Sequence, residues 1–133
     1  MSQENLELVR RCVEAWSTGD REKLAAYLHP DVVFHSAITN IVGETVSGRE
    51  AILGLLDRWT EEWSTLRWEV DEYIDAGEGR VVTLHRVIAK GRASGIELDR
   101  ELGGVWDIQE GLIIREWIYL DRDEALVAAG LRE

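Results

Sequence analysis

Leu6, Val9, Val13 and Trp16 recur at helical spacing, with Cys12 beside the stripe and Glu4, Glu7, Arg10, Arg11 and Glu14 over the remainder. This pattern predicts an amphipathic first helix. Gly19 stops it, and Asp20 is placed to cap a second helix carrying Leu24, Tyr27 and Leu28, closed by Pro30. Asp31 to His35 reads as a short strand, and Ser36 to Ser47, which has no period, as a loop. Ser47-Gly48-Arg49-Glu50 has capping-box spacing ahead of a third helix that aligns Ile52, Leu55, Leu56, Trp59 and Trp63.

The period then falls to two. Leu66, Trp68, Val70 and Ile74 alternate with Arg67, Glu69, Asp71 and Tyr73, and Gly77-Glu78-Gly79 turns the chain into a strand from Val81 to Ala89. Gly91 to Gly95 is a loose turn rather than a nucleophile elbow, because its serine is off-centre and no helix follows. Glu97 to Asp121 reads as a long hairpin about Gln109-Glu110-Gly111, with apolar and charged residues on each face. Asp121 and Glu124 have capping-box spacing before a short last helix with Leu126 and Val127, stopped by Gly130. Helices first and a run of antiparallel strands afterwards mean an α+β fold: three N-terminal helices on one face of a curved, mostly antiparallel sheet. A sheet apolar on both faces calls for cover on the second face too, and another subunit would supply it.

Residues 1–133 are the size of one domain. The net charge of −11 argues against nucleic acid and anionic membrane surfaces as partners. The single cysteine, Cys12, permits no internal disulfide, and the opening Met-Ser-Gln-Glu-Asn lacks a signal peptide's basic start and apolar core; both favour the cytoplasm. His29, Asp31 and His35 do not have a metal-ligand spacing, and Gly77-Glu78-Gly79 is a turn rather than a phosphate loop, so no metal or organic cofactor is expected.

Five segments in this order resemble the SnoaL-like branch of the nuclear transport factor 2-like (NTF2-like, cystatin-like) superfamily: Val13 to Asp20, Leu28-His-Pro-Asp31, Ser47-Gly-Arg-Glu50, Gly111-Leu-Ile-Ile114 and Tyr119-Leu-Asp121. The resemblance implies a cone-shaped α+β barrel around a pocket, and a homodimer paired through the sheet. It does not imply one chemistry, since ketosteroid isomerases, polyketide cyclases, limonene epoxide hydrolases and non-catalytic binders share the fold. Positions matching the isomerase-type residues are Cys12, Ser36 and Gly104; those matching the cyclase type are Gly104 and Ile118; those matching the epoxide-hydrolase type are His85, Val87 and Ile118. All three catalytic sets are missing.

The same comparison places residues 85, 87, 100, 102, 104, 106, 114, 116, 118 and 120 toward the cavity. Among them His85 and Glu116 are the candidates for proton transfer, and Arg100, Leu102, Trp106 and Ile118, with Trp16 and Cys12 from the first helix, for ligand binding. Imidazole titrates near neutrality, and a carboxyl in an apolar stripe between Ile114 and Ile118 has an unusual pKa unless a cation holds it, so His85 or Arg100 is expected within reach of Glu116. Trp59, Trp63 and Trp68 read as core. The expected activity is an isomerase-, cyclase- or hydrolase-type reaction on a small, largely apolar organic molecule; the alternatives are a non-catalytic binder and an interaction domain. The dimer expectation rests on an outward row of Arg115, Trp117 and Tyr119 with Arg86, Ile88 and Val105.

Overall fold

The computed structural model describes residues 2–36 and 44–132. In chain order the elements are α1 (Ser2–Thr18), α2 (Arg21–Tyr27), β1 (Leu28–Ser36), β2 (Glu44–Ser47), α3 (Arg49–Glu62), β3 (Trp63–Gly77), β4 (Arg80–Gly91), β5 (Glu97–Gln109), β6 (Leu112–Tyr119) and α4 (Arg122–Ala128). The strands form one open sheet of order β2-β1-β6-β5-β4-β3, antiparallel except where β1 runs parallel to β6. Among the described residues no helix is long and apolar enough to cross a membrane.

Helices α1, α2 and α3 lie on the inner face. Val9, Cys12, Val13 and Trp16 of α1 and Ile52, Leu55, Leu56 and Trp59 of α3 are buried against Phe34, Trp68, Val87, Leu102, Trp106 and Ile118 of the sheet. Gly19 takes φ +70°, and Asp20 caps α2 by accepting from the Lys23 amide. At the β5–β6 turn, Glu110 and Gly111 both have positive φ, 55° and 75°, the two-residue geometry whose twist matches its strands.

The structure revises the sequence reading at several points. Pro30 lies inside β1 rather than closing α2. Part of the expected 36–47 loop is strand: β1 runs through Ser36, and β2 pairs with it; the rest of the loop, 37–43, is outside the described residues. There is no capping box at Ser47, because the N-cap of α3 is Gly48, which has no side chain to offer. Asp121 does cap α4, accepting from the Asp123 amide.

The second sheet face is covered in part from within the chain. Ala125 of α4 and Ala129, its C-cap, pack with Val82 and Val105, flanked by Ile74, Leu84 and Tyr119. Val105, expected in an exposed dimer patch, is therefore buried under α4. Gly103 permits this approach: a Cβ there would stand 2.6 Å from Ala125 Cβ and 3.2 Å from Arg122 Cα. Gly103→Ala must push the helix off the sheet and is expected to cost about 1–3 kcal/mol, read by urea denaturation; a loss no larger than that of the exposed Glu101→Gln would contradict this packing.

Candidate functional site

On the inner face, four polar or charged side chains among the described residues are buried with the apolar ones: Ser36, Thr83, His85 and Glu116. The strand ladders bring three of them close. His85 lies opposite Leu102, Thr83 opposite Gly104, and Trp106 opposite Glu116, which also faces Phe34 across the parallel pair. Cys12, Val87, Gly104 and Ile118, which with Ser36 are the positions that the resemblance matches to catalytic residues, are buried as well.

Trp106 donates its indole N–H to Thr83 Oγ1 at 2.9 Å, and Thr83 Oγ1 lies 3.1 Å from His85 Nδ1. Gly104 leaves room for this chain: a Cβ there would meet Thr83 Oγ1 at 2.8 Å, Trp106 Nε1 at 3.0 Å and Ile118 Cδ1 at 3.1 Å. Trp68, read from the sequence as core, stacks on the imidazole with ring centroids 4.8 Å apart and on Trp16 at 6.4 Å. Thr83 and Trp68 are the site residues that the sequence reading missed. Thr83 was visible as the residue two before His85 on the same strand face; Trp68 was not, since a buried tryptophan has one sequence signature whatever it touches.

Burial sets the charge of both titratable groups. It pushes His85 down to about 4, against a weaker upward pull from hydrogen bonding to the Thr83 backbone. The imidazole Nδ1 lies against the Thr83 hydroxyl, and Nε2 has no partner. Burial likewise raises Glu116 well above the ordinary carboxylate range. The Trp16 indole N–H draws it back in part but stops short of hydrogen-bond geometry, and Glu116 Oε2 has no partner. Cys12 is pushed up by burial and then by Glu116, which marks it as a neighbour of the carboxyl and a protonated thiol. Burial thus favours a neutral imidazole and a neutral carboxylic acid in this site.

Four expectations are corrected. Arg100 shares the inner face of β5 but is exposed, beyond the cover of the helices. Leu120 is also exposed, past the end of β6. Ile114 turns outward because β6 carries an extra residue: Asp107 pairs with Arg115 but Ile108 with Ile113, so Ile113 and Ile118 are the apolar neighbours of Glu116 on its face. The direct form of the expected contact is not made either, for His85 Nδ1 is used by Thr83 and Nε2 bonds to nothing. His29 and His35 have local roles: His29 Nδ1 accepts from the Asp31 amide, and His35 bonds Thr45 and stacks on Trp117. Among the described residues no three metal-binding side chains gather.

With this geometry, the comparisons give the fold as NTF2-like. Similar solved structures include Bal32a from a soil-derived mobile gene cassette (25% identity, 89% of each chain, TM-score 0.80). A putative polyketide cyclase from Xanthomonas campestris is 21% identical over 96% of this chain and 98% of its own, with TM-score 0.74. An LEH-like epoxide hydrolase from M. tuberculosis is 16% identical over 98% of this chain and 94% of its own, with TM-score 0.77. These likenesses show the fold. The SnoaL-like domain family model matches residues 9–116, and the chain belongs to that family. No curated protein matches it.

The two buried groups make opposite demands on stability as pH changes. His85 takes up a proton more readily when unfolded, so its contribution falls as pH drops from 6.5 to about 4, by about 3 kcal/mol in all. Glu116 loses its proton more readily when unfolded, so its contribution falls as pH rises above 4.5 toward its raised folded value. Between about pH 4.5 and 6.5 the two slopes oppose each other. Relative to the native protein, Glu116→Gln should therefore show stability rising with pH across that window, and His85→Gln stability falling, by urea denaturation at fixed ionic strength. Parallel curves for all three would contradict the assigned protonation states.

Proposed function

We propose that this domain binds a small, uncharged, largely apolar organic molecule bearing a carbonyl-type acceptor, and moves a proton on it between His85 and Glu116. The observation that carries this reading is the pair of unpartnered buried atoms, His85 Nε2 and Glu116 Oε2, in one tryptophan-walled core. A protonated carboxyl donates a hydrogen bond to a carbonyl oxygen, while a neutral imidazole accepts a proton from the adjacent carbon. Neither group tolerates a lone charge where it stands, so the transfer is favoured when one gives as the other takes and the site stays neutral. Trp16, Trp106, Leu102 and Ile118 supply the apolar wall, and Cys12 a small, inert contact. Arg100 has no part in this reading.

Acetophenone, an uncharged aryl ketone, is a suitable probe, with binding read by tryptophan quenching and proton transfer by deuterium uptake at its methyl carbon in D2O. Glu116→Gln keeps a neutral donor, so it should bind the probe but lose most of the exchange; Glu116→Leu should lose about tenfold or more in binding as well. Exposed Glu101→Gln should change neither. Binding without exchange in the native protein would replace the enzyme by the non-catalytic binder, and no dependence on Glu116 at all would refute the site.

The reading includes a homodimer. Trp117 on the outer face is half-buried, stacked on His35 at 4.2 Å and covered by the Arg115 guanidinium at 4.4 Å from its centroid. It borders a groove of about 400 Å³ with Val33 and Ile114. Helix α4 leaves this end of the sheet uncovered, and a two-fold pairing would bury it. Light scattering at micromolar concentration should give twice the chain mass, and Trp117→Lys the single mass; a monomeric native protein would contradict this.

A further inference from the structure

The site is held in place from the opposite side of the sheet. On β3 the pairs Glu69–Arg86 and Val70–His85 are followed by Glu72–Leu84, so Asp71 is an extra residue and the ladder is interrupted beside His85. Such a bulge leaves backbone groups to be satisfied by other means. Here Arg122, the first residue of α4, reaches across: its Nη2 donates to the His85 carbonyl oxygen at 3.0 Å and to Asp71 Oδ2 at 2.6 Å. The reach depends on Gly103, over which the Arg122 Cα sits. One guanidinium thus joins the last helix, the bulge and the backbone of the candidate base, and its side chain is three-quarters buried while doing so.

We propose that Arg122 is a positioning residue for His85: it locks the strand at the Asp71 bulge and so sets where the imidazole stands, without touching the ligand. The proposal rests on the reading of His85 as the proton acceptor. Two side effects follow from charge. Arg122 disfavours a proton on His85, and Asp71 favours one, both weaker than burial. The other groups against the ring, Trp68 and Thr83, are uncharged.

The test is the 15N NMR spectrum of the His85 ring, titrated in the native protein and in Arg122→Met, Arg122→Lys and Asp71→Asn. Arg122→Met should raise the His85 pKa by roughly half a unit or more and change the ring nitrogen shifts. Arg122→Lys should restore the pKa but not the shifts, since an ammonium lacks the guanidinium fork. Asp71→Asn should lower the pKa. If Arg122→Met proves too unstable to titrate, Arg122→Lys and Asp71→Asn decide. An unchanged His85 spectrum in variants whose melting temperature falls would overturn the proposal and leave Arg122 a structural clasp. Acetophenone binding separates the two levels. If Glu116→Leu weakens binding while Arg122→Met alters neither His85 nor affinity, positioning alone fails. If His85 responds to Arg122 but binding ignores Glu116, the functional reading fails and the positioning stands.

Discussion

An imidazole and a carboxyl group cannot both stay charged in a core closed by three helices and a sheet unless they meet, and here they do not form that pair. Burial is the largest influence on each: it disfavours the protonated form of His85 and the ionised form of Glu116. The rest of the site follows from this constraint. A neutral imidazole can lie flat on Trp68 and share the Thr83 hydroxyl with Trp106. A neutral carboxyl can sit between Ile113 and Ile118 beside Cys12. Charging either would require a counterion that the described residues of the inner face do not provide, since Arg100 is exposed.

Small departures from regular strand geometry make this arrangement possible. The extra residue at Ile114 brings Ile113 and Glu116 to the same face, three apart along β6. The missing side chain at Gly104 lets the Trp106 indole reach Thr83, and the one at Gly103 lets α4 close on the back of the sheet. The bulge at Asp71 opens the ladder where Arg122 enters. Bulges beside functional groups re-aim side chains without a change of fold.

The architecture was largely legible in the sequence because period and punctuation are local. The stripe from Val9 to Trp16, the Asp20 cap, the glycine turns and the Glu110–Gly111 hairpin each need only a few neighbouring residues. The inward placement of His85, Leu102, Trp106, Glu116 and Ile118 came instead from the family resemblance, and all five are buried. What failed depends on partners distant in the chain. Alternation counted from Gly111 sends Ile114 inward, and only the pairing with β5 shows the slip. Arg100 has the right parity, but parity does not say where helical cover ends. Val105 reads as exposed until α4 is laid upon it. Pro30 stops helices in general, yet at the start of a strand its missing N–H is tolerated.

The protonation state of Glu116 is the point on which the account turns, and infrared spectroscopy reads it directly. At neutral pH the native protein should show the carbonyl stretch of a buried protonated carboxylic acid, shifted by D2O only slowly and absent from Glu116→Gln. A spectrum at that pH in which Glu116→Gln removes only carboxylate bands would mean that the group is ionised in the folded protein, and would contradict the neutral site.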